Sequence, residues 1–268
     1  MSIDTMPDIQ GQTDHREVPL AKVGVKGLEY PIRVLDKIKI AQYTTAHVDL
    51  FANLPHQFKG THMSRFVEIF HRYWEDISMM RFLEMLAQIR EDLDAQSAFG
   101  SMSFPYFVEK KAPVSRMPSM ISCQCRYQGR VTKESPEAAL EKTFSVSVSV
   151  PVTTVCPCSK AISERGAHNQ RGIVTVELGQ GPFFWIEDII TLVEETASSP
   201  VYALVKREDE KYITEHAYDN PKFVEDLVRD VYVKIRAMNQ FPHFSVEAEN
   251  FESIHNHNAY AFAEYTGG

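Results

Sequence analysis

Long apolar runs are missing from this 268-residue sequence. No stretch approaches the roughly 20 residues that a bilayer-spanning helix needs, so a membrane partner is not expected. Positive charge is also short. With 28 Lys and Arg against 36 Asp and Glu the formal net charge is −8, which removes any general attraction for a nucleic-acid backbone and requires a locally basic pocket for an anionic substrate. Cysteine is confined to Cys123, Cys125, Cys156 and Cys158, two C-x-C pairs. The C-x2-C spacing of a zinc ribbon is absent, which argues against a structural zinc site built from all four. The first residues, MSIDTMPDIQGQTDHREVP, lack the basic-then-apolar pattern of a secretory signal and read as a loose polar arm. A cytoplasmic protein is expected, in which thiols stay reduced and serve as packing residues, ligands or nucleophiles.

What is present is ordinary globular composition, 44% hydrophobic and 24% charged, so disorder is expected only at the termini. Two segments rich in Val, Ile, Tyr and Thr run from Val18 to Leu54 and break near Asp36 and Lys37, as an antiparallel pair would. The period then changes. Phe66, Ile69, Phe70, Tyr73 and Trp74, then Phe82, Leu83, Leu86 and Ile89, recur at three and four residues and predict two helices. Strands follow over about Met102–Lys111 and Met120–Arg130. The second half repeats the order: KTFSVSVSVPVTTV and RGIVTVELG read as strands, FFWIEDIITLVEET as a helix. In NPKFVEDLVRDVYVKIRAMNQ, Asn220 is the expected cap of a helix with Pro221 in its first turn and a stripe of Val224, Leu227, Val228, Val231 and Ile235. HFSVEAENFESIHNHNAYAFAEY supplies closing strands. The fold class is therefore α+β, with two tandem ββααββ modules over 18–134 and 135–268 after an arm over 1–17. Each module offers an antiparallel sheet with a helix pair on one face. Such sheets leave edges that association into a barrel removes, so an oligomer is expected.

Cys156 and Cys158 follow a strand, with Pro157 stiffening the turn between them. C-x-C here is either core packing or a pair of held sulfurs. His168, twelve residues on, favours the second reading, because thiolate and imidazole together suit zinc or a similar ion. Lys160 and Arg165 would favour the thiolate form. In REDEK, Asp209 or Glu210 could supply a carboxylate ligand, but a solvated charge run is the reading that sequence alone favours. Glu225 sits in the first turn of the capped helix, where a carboxylate is stabilised and could accept two N–H donors from a guanine-type edge. His255 and His257 fall two apart in an expected strand, hence on one face, able to serve as acid and base or to bind a metal or phosphate. Lys59, His62, Ser64 and Arg65 gather around Gly60 before a helix start, either as a phosphate pocket or as a helix cap with basic neighbours.

Four stretches carry a family likeness: PHQFKGTHMSRF, SVPVTTVCPCSKAISERGAHNQRG, EETASSPVYALVKREDEKYITEHAYDNPKFVED and ESIHNHNAYA. In this order they resemble GTP cyclohydrolase IB, the prokaryotic alternative to the better-known cyclohydrolase I, from about Val18 to the C-terminus. The resemblance implies the tunnelling fold, a homotetramer assembled around a barrel with intersubunit active sites, and GTP as substrate. It implies hydrolysis of GTP to 7,8-dihydroneopterin triphosphate and formate, the entry step of tetrahydrofolate biosynthesis, with one divalent metal (zinc, manganese or iron) per site. It further implies Cys156, His168 and Glu210 as metal ligands, which reverses the reading of the acidic run. Glu225 would anchor the guanine base, and Cys158, His255 and His257 would line the reaction centre beside Cys156. Lys59, His62 and Arg65 fall in a matching motif, and their charge suggests contact with the triphosphate. The competing readings are an NADPH-dependent nitrile reductase of the same fold, which needs no metal, and a non-catalytic zinc-binding protein using all four cysteines.

Overall fold

Asp36 closes the longest hairpin of the molecule. In the computed structural model, which describes residues 9–135 and 137–267, its Oδ1 accepts hydrogen bonds from the backbone N–H of Ile38 (2.9 Å) and Lys39 (2.7 Å). That Asx turn reverses β1 (Leu20–Asp36) into β2 (Ile40–Leu54). The two pair antiparallel with a bulge between Val25 and Leu28. Gly27 sits in that bulge with φ +70°, a conformation open to glycine, and its N–H donates to Asp49.

The chain forms two compact units. One holds the residues up to Phe104 with Arg126–Phe144, the other Pro105–Cys125 with the residues from Ser145 on. The strands β3 (Ser97–Lys111) and β4 (Pro118–Thr132) contribute residues to both. In the first unit α1 (Met63–His71) and α2 (Met79–Asp92) follow β2, and β2 pairs with β3. Alternation buries Val48, Leu50 and Ala52, and the apolar stripes Phe66, Ile69, Phe70 and Phe82, Leu86, Ile89 are buried likewise, all essentially unexposed. Each buried phenylalanine there contributes on the order of 2 kcal/mol relative to exposure. Residues 1–8 of the expected N-terminal arm lie outside the described residues. The next few are tied down: Thr13 bridges Phe58, and Lys59 N–H donates to the Gln12 carbonyl.

The second unit is built on β5 (Glu141–Val155), whose SVSVSV alternation buries Val146, Val148 and Val150 and turns the serines to the other face. There Ser147 bonds Glu177 and Ser149 bonds Thr175 across to β6 (Asn169–Gly179). A short helix α3 (Pro157–Ile162) interrupts the β5–β6 connection. After β6 come α4 (Ile186–Glu194), a two-residue strand β7 (Ser199–Pro200) that pairs with β5, α5 (Arg207–Asp219) and α6 (Val224–Met238). β8 (His243–Asn250) pairs with β6, and β9 (Ala259–Thr266) pairs with β8. The stripe Leu227, Val228, Val231 and Ile235 of α6 is buried, as its spacing requires. The architecture is α+β, with antiparallel strands and helices packed on them.

Two expectations are corrected. Asn220 does not cap α6; it ends α5, and α6 begins at Val224 after Phe223. There Asp226 accepts from the Phe223 N–H at 3.2 Å, taking over the role expected of Asn220. The REDEK run is solvated as read except at buried Asp209, and it begins a helix, its carboxylates clustered in the first turn where a helix N-terminus favours them. His255 and His257 lie not in a strand but in the loop between β8 and β9.

Candidate active site

The strand β5 ends at Val155, and its next residue, Cys156, caps α3. Pro157 occupies the first helical position, where its missing N–H costs nothing, and Cys156 Sγ accepts from the Ser159 N–H at 3.4 Å. The chain returns along β6, so that Cys156 N–H donates to the His168 carbonyl at 3.1 Å. Ser159 Oγ closes the loop by accepting from His168 N–H, also at 3.1 Å. The twelve-residue spacing is thus one loop folded back on itself.

The imidazole of His168 is held as well. Its Nδ1 lies 3.0 Å from Gln170 Oε1, and Gln170 Nε2 donates to Thr154 Oγ1 at 2.9 Å, with both Gln170 and Thr154 buried. Because the Gln170 amide gives its N–H to Thr154, its oxygen is the partner of His168, which places the proton on Nδ1 and leaves Nε2 as a lone-pair donor.

These residues open on a cleft of about 290 Å³. From the β5–β6 side it is lined by Cys156, His168 and Gln170; from the start of α6 by Lys222, Phe223, Val224 and Glu225; and from the end of β8 and its loop by Asn250, Glu252, His255, His257 and Ala259. The Glu225 carboxylate is exposed in the first turn of α6. Lys222 is paired with Asp230. The rings of His255 and His257 stack with centroids 5.0 Å apart. Their loop is anchored at both ends, by Phe251 N–H on the Arg171 carbonyl (2.9 Å) and by Asn258 Nδ2 on Glu249 (2.7 Å).

Of the residues singled out in the sequence, the cleft brings together Cys156, His168, Glu225, His255 and His257. Cys158 is exposed on α3 and does not line it. Glu210 is exposed on α5 and does not line it either. Its neighbour Asp209 is buried and fully engaged, accepting from Val114 N–H (2.8 Å), Ser115 N–H (2.9 Å), Ser115 Oγ (2.5 Å) and Lys206 N–H (2.9 Å). Burial pushes that carboxyl up, but the hydrogen bonds from Ser115, Lys206 and Val114 outweigh it and hold its pKa below the ordinary 3.8. Lys160 is turned to the Tyr218 carbonyl and ring rather than to the cleft. Lys59, His62 and Arg65 belong to the first unit and do not line the cleft; Arg65 donates to the Asp92 carbonyl at 2.7 Å.

A thiolate and an imidazole with a free Nε2 form a donor pair suited to a borderline divalent ion. Among the described residues, no group of three or more His, Cys, Asp or Glu is placed to hold a metal. Cys123 and Cys125 are buried on one face of β4; burial pushes the first thiol up to about 12 and raises the second too. They are packing residues. Sequence reasoning missed Gln170, Asn250 and Glu252. Only Gln170 carried a signal, its place two residues after His168 where a strand begins.

Residues 6–261 match the family described as Type I GTP cyclohydrolase folE2. The GTP cyclohydrolase FolE2 of Syntrophotalea carbinolica is 52% identical over 260 residues, covering 97% of this chain and 95% of that protein. That of Geotalea uraniireducens is 51% identical, covering 97% and 93%. Among solved structures, the crystal structure of uricase from Arthrobacter globiformis superposes with a TM-score of 0.52 at 7% identity, covering 91% of this chain and 93% of that one. This likeness concerns the fold alone and is that of the tunnelling fold. With half of its residues shared over nearly the full length of such relatives, the chain belongs to the type I GTP cyclohydrolase folE2 family.

Proposed function

We propose that the cleft hydrolyses GTP to 7,8-dihydroneopterin triphosphate and formate, the first step of tetrahydrofolate biosynthesis. The observation that carries this is the joint presence, in one cleft of a chain of this family, of the Cys156–His168 pair, the Glu225 carboxylate and the stacked His255 and His257. The type IB designation suggested by the sequence motifs belongs to this proposal; the family match is to the folE2 type.

Glu225, aimed from the first turn of α6, accepts the guanine N1–H and exocyclic amine, a bidentate contact of the charge-assisted kind. That contact orients C8 of the base. Cys156 and His168 would hold a divalent ion, zinc, manganese or iron, with Glu210 as the third ligand inferred from the motif. When bound, the ion supplies Lewis-acid activation of water near neutral pH. His255 and His257 move protons: water adds at C8, one imidazole delivers a proton to the departing ring nitrogen, and a second addition releases C8 as formate. The opened ribose then rearranges, C2′ becoming the carbonyl as C1′ is reduced, and that carbonyl closes on the freed amine with loss of water. Cys158 is proposed as a further residue of the reaction centre. Lys59, His62 and Arg65 are proposed as triphosphate contacts.

A homotetramer with active sites completed between subunits is proposed on two supports. β1 and β9 each pair on one side only among the described residues. Large apolar side chains also stand exposed on β9, Tyr260 and Phe262, and at the β1–β2 tip, Ile38 and Ile40. No helix among the described residues is long and apolar enough to cross a membrane, and a cytoplasmic site of action is proposed.

The test is Glu225→Ala. The account expects it to keep its metal content and lose GTP binding by about a hundredfold or more, the order of loss when a charged pair of hydrogen bonds is removed from a site. Wild-type affinity for GTP in this variant would overturn the assignment.

A further inference from the structure

Asn250 is the most deeply buried polar group lining the cleft. It is the last residue of β8, opposite Gly172 of β6 and Ala259 of β9, and is 2% exposed. Its Oδ1 is buried and has no hydrogen-bond partner among the described residues. The neighbouring Gln170, by contrast, satisfies both ends of its amide on His168 and Thr154. A buried acceptor left unpaired destabilises a fold, and native structures keep few of them without a reason.

The fold also makes room for this group. A Cβ at position 172 would stand 2.5 Å from Asn250 Oδ1 and 3.1 Å from the Glu249 carbonyl. Only a glycine opposite Asn250 leaves space for the carboxamide. Two strands are therefore arranged around an oxygen that finds no hydrogen-bond partner among the described residues.

We propose that Asn250 is a substrate-contacting residue whose side-chain oxygen accepts a hydrogen bond from an N–H or O–H of the nucleoside part of the bound nucleotide. This rests on reading the cleft as the GTP site. The nucleoside is the part that fits. Phosphate oxygens at neutral pH offer acceptors, which an acceptor cannot use, whereas the base and the ribose offer donors. The carboxylates of Glu225 and Glu252 on the same lining likewise repel a triphosphate and suit donors.

The experiment compares wild type with Asn250→Leu, a near-isosteric apolar replacement, by guanosine calorimetry, the KM for GTP, and thermal unfolding. The proposal expects the guanosine Kd and the KM for GTP each to rise about tenfold, the effect of one lost hydrogen bond, with a melting temperature no lower than wild type. That pairing is what separates it from a structural role, which would lower the melting temperature. Unchanged guanosine and GTP constants would overturn the proposal, and so would a variant that melts several degrees lower. Should Asn250→Leu fail to fold, Asn250→Ala is judged by the two binding constants alone. A wild-type protein that binds neither guanosine nor GTP would instead overturn the GTP reading of the cleft, and this inference with it.

Discussion

His168 Nδ1 and Gln170 Oε1 stand 3.0 Å apart, His168 just before β6 and Gln170 near its start, and the far end of the Gln170 amide is fixed on buried Thr154. The pair fixes the orientation of the imidazole ring. Gln170→Ala should therefore weaken metal binding about 10- to 100-fold, as loss of a ligand-orienting hydrogen bond does, while the fold survives. A chelator competition titration reads this directly. Metal affinity equal to wild type would mean that the Gln170 amide does not set the ligand's orientation.

The proposed ligands differ in how they are placed. Cys156 and His168 already share the cleft, while Glu210 sits exposed on α5. Cys156→Ala should abolish bound metal and turnover together, Glu210→Ala should lower metal content at least tenfold, and Cys158→Ala should keep the metal. Metal analysis of the purified variants checks all three. Full metal content in Glu210→Ala would remove that residue from the ligand set.

Asp209 supports the helix that carries Glu210, clamping residues 114 and 115 and the Lys206 N–H. Its folded pKa lies below the ordinary 3.8. The stabilisation is therefore complete above that value and is lost as pH falls through the folded pKa. Asp209→Asn should melt well below wild type at pH 7, and the gap should shrink steadily as the pH drops under about 4. Melting curves across that range check it; a gap independent of pH would show that ionisation of Asp209 is not what the clamp uses.

Much of this was legible in the sequence because period and cap chemistry are local. The alternation of β5 and the stripe of α6 named their own buried faces. Charge patterning could not single out one residue of the REDEK run: the run reads as solvated, yet Asp209 is drawn inward by the nearby Lys206 N–H and by three donors of Val114 and Ser115, in a turn more than 90 residues earlier. His255 and His257 were correctly expected to act as neighbours, but a loop anchored on Arg171 and Glu249 achieves this rather than strand pleating. Asn250 gave no signal at all, since its isolation depends on a glycine about 80 residues away.

The central claim is the reaction itself. The measurement is formate and dihydroneopterin triphosphate release from GTP, made on metal-stripped protein and again after adding back zinc, manganese or iron. The account predicts that both products appear together, only after metal is restored. A folded protein that releases no formate with any of these ions would contradict it.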